Sequence, residues 1–81
     1  MKITVYTKNN CMQCEMTKKI LKDKGLEFEA INVNEITEDE AEKTINFIKE
    51  ELGFSSMPVV VAEGHEPFAG FRPDKLAELG E

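Results

Sequence analysis

Cys11 and Cys14, the two cysteines of the chain, have the spacing that most directly suggests chemistry. They lie between residues 2–6, which predict a strand, and residues 15–24, which predict a helix. Cys11 is therefore expected at a helix N-terminus, where unpaired N–H groups and the positive end of the helix dipole stabilise a thiolate. Cys14 follows one turn later, close enough to form a disulfide. An activated thiol with a resolving partner is suited to thiol–disulfide exchange.

Other roles for this cysteine pair have weaker support. A structural disulfide across so short a loop would stabilise the fold little. A zinc site normally needs four ligands, and beyond the pair the only soft candidate is His65. Two core cysteines that are close by chance remain an alternative, but the strand-to-helix placement argues against it. We interpret the pair as a redox dithiol.

The composition sets broad limits on the protein class. The chain has 81 residues, which predicts a single domain over 1–81, and 41% of them are hydrophobic, enough for a core. No apolar run is long enough to span a membrane, and no signal peptide precedes the first strand, so we expect a cytoplasmic protein. In that compartment a lone cysteine pair is expected to be catalytic. The net charge of −6 argues against non-specific nucleic-acid binding.

The elements after the pair follow from periodicity and capping signals. Gly25 fits the end of the first helix, and residues 28–33 predict a second strand, parallel to the first because a helix connects them. Thr37 and Glu40 match a capping box that opens a second helix ending at Leu52. Two buried faces are expected: Cys14, Thr17, Ile20 and Leu21 in the first helix, and Ala41, Ile45, Ile48 and Leu52 in the second.

The last third of the chain predicts an antiparallel pair and a final helix. Residues 57–61 predict a buried strand with Pro58 at its start, and residues 68–70 return after a turn that holds His65. We expect His65 to be a solvated loop residue rather than a base or ligand. Pro73 suits the first position of a helix whose inward residues are Leu76 and Leu79. The predicted order is βαβαββα.

This order, with a Cys-x-x-Cys pair opening the first helix, resembles the thioredoxin fold in its glutaredoxin-sized form. The resemblance implies an α/β protein with a four-stranded mixed sheet flanked by three helices. Three stretches resemble the NrdH-redoxins, glutaredoxin-like proteins that reduce class Ib ribonucleotide reductase. They are Cys11-Met12-Gln13-Cys14, Met57-Pro58-Val59-Val60 and Gly70-Phe71-Arg72-Pro73-Asp74-Lys75-Leu76.

The resemblance implies an electron carrier with Cys11 and Cys14 as catalytic residues. It also implies a cis peptide bond before Pro58. The implied partners are the large subunit of ribonucleotide reductase and thioredoxin reductase, a flavoprotein that supplies electrons from NADPH, with no cofactor or metal bound to the carrier. We expect a monomer. The residues assigned to partner binding are Met12, Gln13, Met57, Pro58, Phe68, Phe71 and Arg72.

Several of these residues have open alternatives. Phe68 stands where family members often have Trp, so any hydrogen bond from an indole N–H is lost here. Phe71 is either a core residue or part of an exposed apolar patch for docking. For Arg72 we favour hydrogen bonds that bridge the last helix to the body of the fold over substrate binding. Lys8 either assists Cys11 electrostatically or is simply solvated.

Two other functions remain as alternatives. A glutathione-dependent glutaredoxin would carry Gly-Gly and an Asp near the last helix, whereas here Gly70 precedes Phe71 and Arg72, which should crowd a tripeptide groove. Asp74 aligns with that acid only ambiguously. The second alternative is a protein that binds a metal or half a cluster through the two cysteines, which would lack nearby third and fourth ligands.

Overall fold

The predicted order of strands and helices is confirmed. A computed structural model describes residues 2–80. The strands are β1 (Ile3–Thr7), β2 (Glu29–Asn32), β3 (Val59–Ala62) and β4 (Phe68–Ala69). The helices are α1 (Met12–Asp23), α2 (Glu38–Asn46) and α3 (Pro73–Glu78), and a π-helical segment, Phe47–Leu52, continues α2. None of the helices in residues 2–80 is long and apolar enough to cross a membrane.

The sheet has the order β2-β1-β3-β4, with β1 and β2 parallel and the other pairs antiparallel. Strand β3 lies between β1 and β4, and its residues Val59 and Val60 are fully buried, as the run of valines predicts. Strand β2 is an edge strand and is shorter than the predicted 28–33. The mixed four-stranded sheet is thus the predicted one.

One face of the sheet forms the core with α1 and α3. Alternate residues of the strands point to this face because side chains alternate along a strand. Its buried members are Ile3, Val5, Leu21, Val60, Ala62, Phe68, Leu76 and Leu79. Helix α3 begins at Pro73 as predicted, and both of its predicted inward leucines are buried. The core therefore fixes α1, which follows Cys11, against the sheet.

The opposite face of the sheet contacts the π-helical segment. The ring of Tyr6 lies 6.4 Å from that of Phe47, at a tilted angle. The prediction of one regular helix to Leu52 with a four-residue buried stripe is wrong, because only Ile48 of that stripe is buried. The π-helical turn bonds each residue to the fifth one along, which rotates Leu52 away from a stripe of 3.6-residue period. Ala41 and Ile45 lie in α2, before this turn, and are half-buried. Thr37 does cap α2, accepting a hydrogen bond from the Glu40 N–H at 3.2 Å.

Candidate functional site

Cys11 occupies the N-cap position of α1, between the end of β1 and the first helical residue, Met12. Its backbone is extended, with φ −115° and ψ 99°, and its Sγ accepts a hydrogen bond from the Cys14 N–H at 3.2 Å. This is the position at which a cap accepts from an otherwise unpaired helix N–H. The same N–H groups and the helix dipole favour negative charge on the Cys11 sulfur.

Cys11 and Cys14 are joined by a disulfide, with their Cα atoms 5.2 Å apart. This Cα separation is typical of disulfides, so the loop accommodates the bond without moving its backbone. The two sulfurs differ in access, as predicted. Cys14 is 1% exposed, whereas Cys11 is half-buried. An incoming sulfur can therefore reach Cys11 but not Cys14.

Three asparagines hold the loop before Cys11 against the end of β2. The Asn9 N–H donates to Asn34 Oδ1 at 2.7 Å, and Asn32 Nδ2 donates to Asn9 Oδ1 at 3.0 Å. Asn32 Oδ1 in turn accepts from the Asn34 N–H at 2.8 Å. The next residue, Asn10, has φ 55°, a left-handed conformation that Asn tolerates better than most residues. This network was not predicted, although the asparagines near the ends of both predicted strands were a signal for it.

Pro58 lies beside the same end of the sheet. The peptide bond between Met57 and Pro58 is cis, which confirms the expectation from the resemblance. Tyr6 pairs with Val59, so the Met57–Pro58 segment continues alongside the end of β1 that leads to Cys11. Pro58 is buried and its carbonyl accepts from the Gly70 N–H at 2.8 Å, while Met57 is half-buried.

Gln13, inside the cysteine pair, contacts the segment that precedes α3. Its Oε1 accepts a hydrogen bond from the Phe71 N–H at 3.3 Å. Gly70 has φ 82°, and a Cβ placed there would lie 4.0 Å from the same oxygen. Phe71 is half-buried and packs against the core. Two of the stretches that carry the family resemblance thus meet through this side chain.

The residues assigned to partner binding differ in exposure. Phe68 is 6% exposed and belongs to the core, so the structure does not place its side chain on a docking surface. Met12 is 78% exposed and, with Asn10 and Glu15, lines an open depression of about 330 Å³ beside Cys11.

The prediction that Arg72 bridges α3 to the body of the fold is wrong. Its Nε and Nη2 donate to the Asp74 carboxylate at 3.3 and 3.2 Å, within the first turn of α3. Hydrogen bonding by Arg72 also holds the pKa of Asp74 below its ordinary value. Both side chains are exposed, so the pair is satisfied locally.

Two further candidate residues, His65 and Lys8, are both exposed. His65 is exposed in the turn after Ala62, which pairs with Ile3 at the opposite end of β1 from Cys11. The prediction of a solvated loop histidine is confirmed. Lys8 is exposed and, with Met57, lines an apolar cavity of about 190 Å³.

Residues 2–80 hold no group of three or more side chains of the kind that ligate metals.

Comparisons with known proteins agree with this geometry. The Glutaredoxin family model matches residues 3–66. The chain is similar to the glutaredoxin-like protein NrdH of Lactococcus lactis, 46% identical over 95% of this chain and 97% of that one. It is also 40% identical to that of Escherichia coli, over 98% and 89%. A solved structure concerns the thioredoxin-like activity profile of the E. coli protein. It matches with TM-score 0.80 and 38% identity, covering 100% and 97% of the two chains. A glutaredoxin from Archaeoglobus fulgidus matches with TM-score 0.84 and 32% identity, over 95% and 83%.

Proposed function

The chain belongs to the glutaredoxin family and, within it, to the NrdH glutaredoxin-like redox proteins, and we propose that it carries electrons to disulfides of other proteins. The proposed substrate is the disulfide in the large subunit of class Ib ribonucleotide reductase. The observation that carries the proposal is the asymmetry of the pair. Cys11 is reachable at the α1 N-terminus, and the buried Cys14 lies directly behind it.

The reaction is a pair of thiol–disulfide exchanges. The Cys11 thiolate attacks one substrate sulfur, so a mixed disulfide forms while the substrate disulfide breaks, and the released thiolate takes up a proton. Cys14 then loses its proton and attacks the Cys11 sulfur. The Cys11–Cys14 disulfide forms, the mixed disulfide breaks, and the second substrate sulfur takes up a proton. The substrate has gained two electrons and the carrier is oxidised.

The position of Cys11 supports its role as the attacking sulfur. Cysteines at helix N-termini have pKa values of ~3.5–7.5 rather than the ~8.5 of a free cysteine, so more of the thiol is ionised at neutral pH. We propose that Met12 and Met57 contact the substrate. Met12 directly follows Cys11 and is exposed, whereas Met57 lies beside the end of β1 that leads to Cys11 and is half-buried.

We propose that thioredoxin reductase, a flavoprotein that uses NADPH, regenerates the dithiol in the cytoplasm. The thioredoxin-like activity profile of the E. coli relative supports this donor. Glutathione is disfavoured because Asp74, which aligns only ambiguously with the glutaredoxin acid, pairs with Arg72. Phe71 and Arg72 also follow Gly70, where a second glycine would leave room for the tripeptide.

The test compares two sources of electrons for one protein disulfide. With NADPH, we expect turnover with thioredoxin reductase and little with glutathione and glutathione reductase. Cys11→Ser should abolish turnover, and Cys14→Ser should accumulate a covalent complex with the large subunit of class Ib ribonucleotide reductase. Met16→Ala, on the exposed face of α1, is the matched control and should leave turnover unchanged. A Cys14→Ser variant that remains fully active with protein disulfides would contradict the dithiol scheme.

A further inference from the structure

Thr17 is a buried polar residue without a hydrogen-bond partner. Its side chain is 0% exposed, and its Oγ1 is the one buried side-chain oxygen or nitrogen in residues 2–80 that makes no hydrogen bond. A threonine in a helix usually satisfies its hydroxyl by donating to the backbone carbonyl four residues back. Here that carbonyl belongs to Gln13, and the bond is not made. The unpaired hydroxyl calls for an explanation.

The sulfur of Cys14 lies on the same helix face, one turn before Thr17, and could use this hydroxyl. Residues three apart in a helix are neighbours, with Cβ atoms about 5–6 Å apart. Helix side chains tilt toward the N-terminus, so the Thr17 side chain leans toward the turn that holds Cys14. Both residues are buried on the face that packs against the sheet. Water therefore has little access to either group.

We propose that Thr17 is a positioning residue for the resolving cysteine, its hydroxyl donating a hydrogen bond to Cys14 Sγ once the disulfide is reduced. This inference rests on the proposed dithiol chemistry. In the disulfide, the Cys14 sulfur is a weak acceptor and is turned toward Cys11. Reduction breaks the bond between the sulfurs and leaves a buried thiol, which becomes a thiolate when it attacks. A thiolate is a far better acceptor, and hydrogen bonds to charged groups are the stronger ones.

The hydroxyl would then favour the reduced state in two ways. In the disulfide form the buried hydroxyl is unpaired, which destabilises that form. In the dithiol form it would donate to Cys14 Sγ, which stabilises that form. Reduction by dithiothreitol, for example, moves two electrons and two protons to the carrier, while dithiothreitol closes to its cyclic disulfide. Thr17 neither gains nor loses electrons in that exchange. It changes only the relative stability of the two protein forms.

The first measurement is the equilibrium constant for reduction by dithiothreitol, in Thr17→Val and Thr17→Ser. Valine keeps the shape of threonine and removes the hydroxyl, so the constant should fall about fivefold, the effect of one ordinary hydrogen bond. That change converts to a reduction potential more negative by about 20 mV. Serine retains the hydroxyl and should restore the constant to within about twofold of the wild-type value, the scatter expected from one lost methyl contact. An unchanged constant in Thr17→Val would overturn the proposal.

The second measurement separates a redox role from a packing role. Thr17→Val should stabilise the oxidised protein against denaturant, because it removes an unpaired buried hydroxyl, but should not stabilise the reduced protein. Equal shifts in both forms would mean that Thr17 only packs and would overturn the proposal.

A third measurement follows the attack by Cys14. Resolution of a preformed mixed disulfide on Cys11 should be slower in Thr17→Val, with its pH profile displaced to higher pH, and normal in Thr17→Ser. An undisplaced profile in Thr17→Val would count against the hydrogen bond. None of the three measurements uses the reductase or ribonucleotide reductase. They can therefore fail while the proposed partners stand, or succeed if those partners are wrong.

Discussion

The hydrogen bond between Gln13 and Phe71 connects the cysteine pair to the segment before α3, and its removal has a defined consequence. Gln13→Ala leaves the Phe71 N–H without its acceptor. At 3.3 Å the bond is long for an N–H···O contact, and the site is exposed. We therefore take the low end of the usual range, about 0.5 kcal/mol of unfolding free energy. For a chain of this length, that loss lowers Tm by about 2–4 °C.

Amide hydrogen exchange is the more local assay. In Gln13→Ala the Phe71 amide should exchange about twofold faster, the factor that corresponds to about 0.5 kcal/mol, while core amides such as that of Val60 keep their rates. Gln13→Glu is the matched control, because its carboxylate can still accept from Phe71. If Gln13 serves only to bind partners, Gln13→Ala will change the KM for the reductase and leave Phe71 exchange and Tm unchanged. That result would refute a structural role for the side chain.

Three further predictions concern titration and packing. Burial, and to a lesser extent the nearby Glu29 carboxylate, raise the pKa of Tyr6 above its ordinary value of 10.0. The fold therefore favours the neutral phenol of Tyr6, and this contribution to stability is fully present below pH 10 and is lost as the pH rises through the raised pKa. Tyr6→Phe should accordingly lose less stability in alkali than the wild type. Tyr6 is the only tyrosine in the sequence, so its ionisation can be followed by phenolate absorbance. A titration midpoint at or below the ordinary pKa would count against burial as the cause. A midpoint that does not fall in Glu29→Gln would count against the contribution of Glu29. Leu76→Ala, at a 0% exposed site, should lower the unfolding free energy by about 2–5 kcal/mol in urea, and a change below 1 kcal/mol would mean that α3 is not part of the core. Thr37→Ala should cost about 1 kcal/mol through loss of the α2 cap, with Thr37→Ser close to wild type, and equal losses in both would exclude the cap.

Much of the fold could be predicted because its signals are local. The alternation in β1, the capping residues of α2 and Pro73 at the start of α3 each depend on a few neighbouring residues. The π-helical segment could not be predicted, since its sequence, Phe47–Leu52, fits a regular helix equally well. The segment contacts β1 through the rings of Phe47 and Tyr6, a tertiary contact that the local sequence does not reveal.

The candidate site shows the same division. The placement of Cys11 at a helix end and the burial of Cys14 followed from spacing and periodicity alone. The role of Arg72 could not be predicted in this way. An arginine two residues from an aspartate can pair with it locally or reach across the fold, and the sequence does not distinguish these two arrangements. The contact between Gln13 and Phe71 joins residues far apart in the chain, so only the folded arrangement reveals it.

The central claim is that the Cys11 sulfur is ionised and reachable at neutral pH. The direct test is the rate of alkylation of Cys11 by iodoacetamide as a function of pH, in the Cys14→Ser variant so that a single thiol reacts. We predict a half-maximal rate below about pH 7.5, the upper end of the range for cysteines at helix N-termini. A midpoint at about pH 8.5, as for a free cysteine, or no alkylation in the folded protein, would contradict the account.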